Sequence, residues 1–182
     1  VMIFDTQENV EFEEREVRNI IRRGVDGIIL VPCGNEPGYL EEVQWQVPLI
    51  LVDRYFPSSS LSYISTNNYD GAYHLIRQLL GLGHRDILCL QGTEASVTSM
   101  ERIRGCRQAV KDFGEKCNLY VKGNAYSVEN GYVGTCIGMT FHPRPTAVFA
   151  MSSTILLGAV QALTEQHIRV PEEVSLVSFD NN

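Results

Sequence analysis

The sequence predicts a doubly wound α/β protein with parallel sheets, divided into two lobes. Three observations predict it. Short apolar runs begin near residues 1, 27, 48, 87, 119, 147 and 174, and most steps are about 21–32 residues, the length of one strand plus one helix. The runs GIILV (27–31) and PLILV (48–52) do not alternate, as expected of strands buried on both faces of a parallel sheet. The segments between the runs carry apolar residues at helical spacing and close on Gly24, Gly83 and Gly114, where glycine suits a helix end.

In order, VMIF (1–4) reads as a strand. Residues 8–23 read as a helix with Val10, Val17, Ile20 and Ile21 on one face. After the two buried strands, with a short helix at 37–45 between them, SYIS (62–65) is a weaker strand. Residues 69–82 form a helix showing Ala72, Leu75, Ile76, Leu79 and Leu80. The pattern then repeats. ILCL (87–90) is a strand. The helix 97–113 turns Met100, Ile103, Val110 and Phe113 inward, and LYV (119–121) is a strand. The helix 128–140 carries Gly131, Gly134 and Gly138, which predict close helix packing rather than phosphate binding. AVFA (147–150), a helix capped by Ser152 or Ser153, and a last strand from Val174 complete one βαβ unit. The helix shows Leu156, Ala159, Val160 and Leu163 at helical spacing. The turn before His84 divides an N-terminal lobe (1–82) from a C-terminal lobe (83–182).

Composition narrows the function. With 15 basic and 22 acidic residues the net charge is −7, the opposite of a nucleic-acid-binding surface. No apolar run reaches the roughly 20 residues a membrane helix needs. The five cysteines (33, 89, 106, 117, 136) include no CxxC pair and read as buried free thiols of a reducing cytoplasm. The four histidines lack metal-ligand spacing, and no dinucleotide fingerprint, Walker loop or nucleophile elbow occurs. No catalytic pair, metal site or cofactor is expected. The chain opens on a strand-like run and stops two residues after Asp180, which predicts a piece of a longer protein.

Ligands of open parallel sheets bind beyond the carboxyl ends of the strands. Those positions hold Asp5 and Thr6; Pro32 and Cys33; Asp53, Arg54, Tyr55 and Phe56; Thr93 to Thr98 and then Arg102; Tyr126; Ser152 and Ser153; and Asp180. Carboxylates, an arginine, rings and hydroxyls together suit a polyol or sugar, whose hydroxyls need planar polar partners and whose C–H faces need rings. Arg102 stands out, because the first turns of a helix disfavour a cation.

RGVDGIILVP (23–32), LILVDR (49–54), LGHRDI (82–87), RIRG (102–105), RPTAVFA (144–150) and VPEEVSLVSFD (170–180) together resemble the lactose-repressor (LacI/GalR) family of transcription regulators. The resemblance implies a type I periplasmic-binding-protein-like fold of two Rossmann-like lobes that hold a small metabolite between them, here truncated at both ends. It also implies a helix-turn-helix DNA-binding head outside this chain, a homodimer, and lobe closure that alters operator binding. Carried over by position, Asp53, Arg102, Tyr126 and Asp180 match ligand-contacting positions of the family; Arg54, Tyr55, Ser152 and Ser153 complete the candidate set. The family usually shows Asn-Asp where this chain has Ser152-Ser153, and commonly a glycine at Ser178, so effector specificity is expected to be unusual there. A sugar-binding transport component with the same fold is the alternative reading. A doubly wound enzyme is a third, and lacks a catalytic pair.

Overall fold

The computed structural model describes residues 1–180. Its elements, in order, are α1 (Val10–Arg22), β1 (Ile28–Leu30), α2 (Leu40–Val43), β2 (Leu49–Val52), β3 (Tyr63–Ile64), α3 (Asn68–Gly81), β4 (Asp86–Leu90), α4 (Val97–Phe113), β5 (Asn118–Lys122), α5 (Val128–Gly138), β6 (Ala147–Ala150), α6 (Ser153–Glu165) and β7 (Ser175–Ser178). They form two compact units. The first comprises Val1–Thr66 with Ser96–Thr98, the second Asn67–Ala95 with Ser99–Asn182.

In the first unit, β1, β2 and β3 form a parallel sheet in that order, with Ile29 opposite Ile50 and Leu51 opposite Tyr63. Its core gathers Val17, Ile28, Leu40, Val43, Leu49, Leu51 and Phe56. Helix α1 starts at Asn9, whose side chain accepts the Phe12 N–H at 2.8 Å. Glu11 and Glu13 in the first turn and Arg22 in the last complement the helix dipole,. Gly24, at φ +74°, then reverses the chain,.

The second unit carries a four-stranded parallel sheet in the order β5-β4-β6-β7. The central strands β4 and β6 align Ile87 with Ala147 and Cys89 with Phe149. One face packs Ala72, Ile76, Leu79 and Leu80 of α3 and Ile103, Cys106 and Ala109 of α4 against Phe149. The other packs Ile155, Ala159 and Leu163 of α6 against Leu88, Leu90 and Val148. Full burial of a side chain such as Phe149 stabilises by about 2–3 kcal/mol. Helices α5 and α6 meet through glycine. A Cβ on Gly131 would collide with the Ile155 carbonyl, and one on Gly158 with the Val128 carbonyl. The glycines of α5 are packing residues, as their helical setting predicts.

Four expectations need correction. The runs GIILV and PLILV are buried on one face and not on both, since Ile29 is 80% and Ile50 41% exposed. Residues 1–4 are apolar enough for a strand but form none; their side chains are exposed and they pair with no strand among the described residues. An apolar run supplies β-propensity, but a strand also needs a ladder partner. Met100 faces solvent at 53% exposure, because Ser99 and Arg102 occupy the inward positions of that part of α4. Val10 and Val160 are likewise exposed. Helix α3, read from the sequence as part of the N-terminal lobe, belongs to the second unit, where its apolar face completes the core over Ile87 and Phe149.

All five cysteines are free thiols; Cys33, Cys89 and Cys106 are buried, and Cys117 and Cys136 are half-buried. Among the described residues no helix is long and apolar enough to cross a membrane, and no cluster of His, Cys, Asp and Glu could hold a metal ion.

Candidate functional site

In the first unit, the chain leaves β2 through a strained residue. Asp53 has φ +66°, a left-handed conformation that costs a side chain about 1 kcal/mol or more. Two bonds hold it: the Asp53 N–H donates to the Ile64 carbonyl at 2.9 Å, and the Ser65 hydroxyl donates to the Asp53 carbonyl at 2.8 Å. The turn aims the next two side chains. Arg54 pairs bidentately with Glu8, at 2.5 and 2.8 Å. The Tyr55 ring stacks on Tyr63, with centroids 4.1 Å apart and planes within 7°.

The carboxyl end of β1 holds a group the sequence reading missed. Glu13, 1% exposed, accepts the Cys33 N–H at 2.8 Å and the Tyr39 hydroxyl at 3.0 Å. Burial, and then the Glu13 charge, push the Tyr39 phenol well above its usual range. Burial also pushes the Cys33 thiol up to about 11, so it stays a neutral thiol at physiological pH, hydrogen-bonded to the Thr6 hydroxyl at 3.2 Å. A glutamate within an amphipathic helix reads as surface; only its place beneath the β1 turn makes it internal.

In the second unit, Arg102 is the centre of the arrangement. It is 5% exposed. Its Nε–H donates to Asn68 Oδ1 at 2.8 Å, its Nη1–H donates to the Met151 carbonyl, and the guanidinium lies 3.7 Å above the Phe179 ring. A guanidinium carries five N–H donors in one plane. Three groups, from α3, the end of β6 and the end of β7, fix that plane. One turn earlier on α4, the Ser99 hydroxyl hydrogen-bonds the Tyr126 hydroxyl at 2.8 Å. The Tyr126 ring covers Gly92 so closely that a Cβ there would enter the ring. Ser152 is the N-cap of α6 and accepts the Ile155 N–H at 3.3 Å. Ser153 opens that helix, half-buried. Asp180 follows Phe179 and is exposed.

The structure therefore gathers Arg102, Tyr126, Ser152, Ser153 and Asp180 at the carboxyl ends of the second unit's strands. Asp53, Arg54 and Tyr55 are gathered at the corresponding end of β2 in the first. Asn68, Ser99 and Phe179 escaped the sequence reading. Asn68 reads as helix N-terminal polarity, although it is buried. Phe179 lies within SLVSFD (175–180), and an inward-facing ring after a strand was a signal for it.

This is the architecture of a ligand-binding α/β module, with polar and aromatic groups preset on strand ends. Comparison with known proteins specifies it. The periplasmic binding protein-like domain family matches residues 76–182. The transcriptional repressor PurR of Pasteurella multocida is 28% identical over 184 residues, spanning 100% of this chain and 55% of PurR. A crystal structure assigned as a ribose operon repressor from Burkholderia thailandensis superposes with a TM-score of 0.88 at 30% identity, over 100% of this chain and 68% of that one. A sugar-binding LacI-family regulator from Escherichia coli, complexed with phosphate, shares the fold at TM-score 0.79 and 22% identity, over 95% of this chain and 63% of that one. The chain therefore belongs to the periplasmic binding protein-like domain family, in the branch formed by the effector-binding domains of LacI-family regulators. It spans about half the length of the curated relatives it matches. Those relatives are transcriptional repressors.

Proposed function

We propose that this chain is the effector-sensing part of a cytoplasmic, DNA-binding transcription regulator, and that its effector is a sugar or a related small polyol. The proposed effector contacts are Asp53, Arg54 and Tyr55 in the first unit, and Arg102, Tyr126, Ser152, Ser153 and Asp180 in the second. The observation that carries the reading is the buried guanidinium of Arg102 on α4, fixed at three points by Asn68 and by Met151 and Phe179 beyond the ends of β6 and β7. A planar donor array held rigidly in place grips hydroxyl or phosphate oxygens with little further ordering cost. Effector binding biases a conformational equilibrium and thereby operator affinity, provided the ligand favours one state. Operator DNA is contacted by a separate head, consistent with the acidic charge of this domain.

The regulator acts as a homodimer in this reading. The outer faces of α5 and α6 support it, since they expose Val133, Ile137, Leu157 and Val160 on one closely packed helix pair. We assign the protein no catalytic step, metal or cofactor.

Isothermal titration of the full-length regulator with a panel of pentoses, hexoses, their phosphates and nucleosides tests the proposal. One sugar-class compound is expected to bind in the µM–mM range, about −8 to −4 kcal/mol, and to change operator affinity. Binding that leaves operator affinity untouched, or no binding across the panel, overturns it.

A further inference from the structure

A second surface of the same unit has a chemistry that effector sensing does not use. Strand β5 is an edge, with β4 as its ladder neighbour. The Asn118 N–H donates to the Arg85 carbonyl and the Lys122 carbonyl accepts the Gln91 N–H, both at 2.8 Å. Main-chain groups alternate sides along a strand. Residues 118, 120 and 122 therefore serve β4, and the amides and carbonyls of Leu119 and Val121 point to the open side.

Beside that edge runs a groove of about 860 Å³, lined by α4 on one wall and by Val121, Lys122 and Gly123 on the other. Arg104, Arg107 and Lys111 line its helical wall, and Lys122 lies on the strand. On a protein of net charge −7 this sets the three cations of α4 against one lining carboxylate, Glu94, while the Lys122 ammonium turns to the other face of the sheet, over the Phe141 ring. Arg104 is paired with Glu101 at 2.5 Å. Among the described residues, Arg107 and Lys111 make no ion pair. Like charges three and four residues apart on a helix repel, so this wall is stabilised by an anion laid along it.

We infer that the α4–β5 groove docks an extended acidic segment of a partner protein, which adds as a strand to the β5 edge. Both halves of the recognition are present. Strand addition supplies main-chain hydrogen bonds to Leu119 and Val121. Same-face side chains of an extended chain repeat every about 6.6 Å, close to the rise of about 6 Å from Arg107 to Lys111 along α4. Carboxylates at alternate positions of the incoming strand therefore meet Arg107 and Lys111. A neutral strand would gain the ladder without the ion pairs. A nucleic acid would gain the charges without the ladder.

The probe is a fluorescein-labelled nine-residue peptide of alternating glutamate and threonine, titrated into the intact protein and read by anisotropy. It is expected to bind at least tenfold more tightly than its glutamine–threonine counterpart. Binding should slow hydrogen exchange at the Leu119 and Val121 amides. The exposed double variant Arg107→Glu/Lys111→Glu, checked for an unchanged circular dichroism spectrum, should lose the preference for the acidic peptide. The inference is overturned by equal binding of the glutamine peptide, by acidic-peptide binding that survives the double variant, or by unprotected Leu119 and Val121 amides. Tighter binding of single-stranded oligothymidylate, lost in the same variant, overturns it in favour of a nucleic acid.

Discussion

Arg54 lies just beyond the end of β2, and Arg102 lies on α4 beside the ends of β6 and β7; the protein treats the two arginines in opposite ways. Arg54 meets a carboxylate at the surface: its side chain is 21% exposed and its partner Glu8 is 68% exposed. Arg102 is taken into the interior and oriented by an amide oxygen, a main-chain carbonyl and a ring face. A surface pair gives little stability, because water competes for both ions. An internal guanidinium is costly to desolvate, and once its partners are arranged around it, removing it leaves them unsatisfied. The difference teaches that the second unit invests its fold in the placement of one cation, while the first uses its arginine as an adjustable clasp between the β2 turn and Glu8.

The largest effect should therefore follow Arg102→Ala. Asn68 Oδ1 and the Met151 carbonyl each lose a charged donor, and Phe179 loses its covering cation. Urea unfolding is expected to show a loss of about 3 kcal/mol, and calorimetry of the full-length regulator to show no effector binding. Arg102→Lys separates the two consequences. A lysine keeps the charge but has neither the fork nor the flat stacking surface. It should recover about half of the lost stability while effector affinity stays at least tenfold down. Wild-type affinity in the lysine variant would mean that the effector does not use the guanidinium plane, and the contrast with Arg54 would reduce to packing.

A smaller effect is expected beside Phe179, at Ser178. Among the described residues, Ser178 Oγ is a buried hydroxyl with no hydrogen-bond partner. A stranded hydroxyl costs roughly 1–3 kcal/mol in desolvation, part of it recoverable by removing the oxygen. Ser178→Ala should raise the unfolding free energy by about 1 kcal/mol. A loss of stability instead would show that the hydroxyl is satisfied in solution, and that the strand under the Arg102–Phe179 stack is wetter than it looks.

Much of this was legible in the sequence, and the limits have physical causes. The strand and helix order was readable because buried parallel strands leave unalternating runs such as AVFA, and because Ser152 and Gly24 mark element ends by local chemistry. Residues 1–4 misled because a ladder partner is not a local property. Met100 misled because helical periodicity assumes that apolar residues point inward, and here Ser99 and Arg102 take those positions. Arg102 itself could be singled out, since a cation near a helix start is locally unfavourable. Its grip could not be, because Asn68, Met151 and Phe179 come from three other elements. Glu13 was hidden for the same reason: its donors, Cys33 and Tyr39, lie 20 and 26 residues away.

The smallest expected effect, and the sharpest control on the comparison, is Glu8→Gln. The substitution keeps the size of the side chain and removes the carboxylate that Arg54 holds bidentately. Exposed pairs contribute about 0.2–1 kcal/mol, so a loss of about 0.5 kcal/mol is expected in dilute buffer. The loss should shrink further in 1 M salt, where the Debye length is about 3 Å. The Arg102 substitutions should show almost no salt dependence, because solvent ions do not reach an interior guanidinium. If Glu8→Gln instead cost as much as Arg102→Lys, and salt left the cost unchanged, the Arg54 clasp would be a desolvated pair under tension with the Asp53 turn. The two arginines would then serve the same rigid function in their respective units.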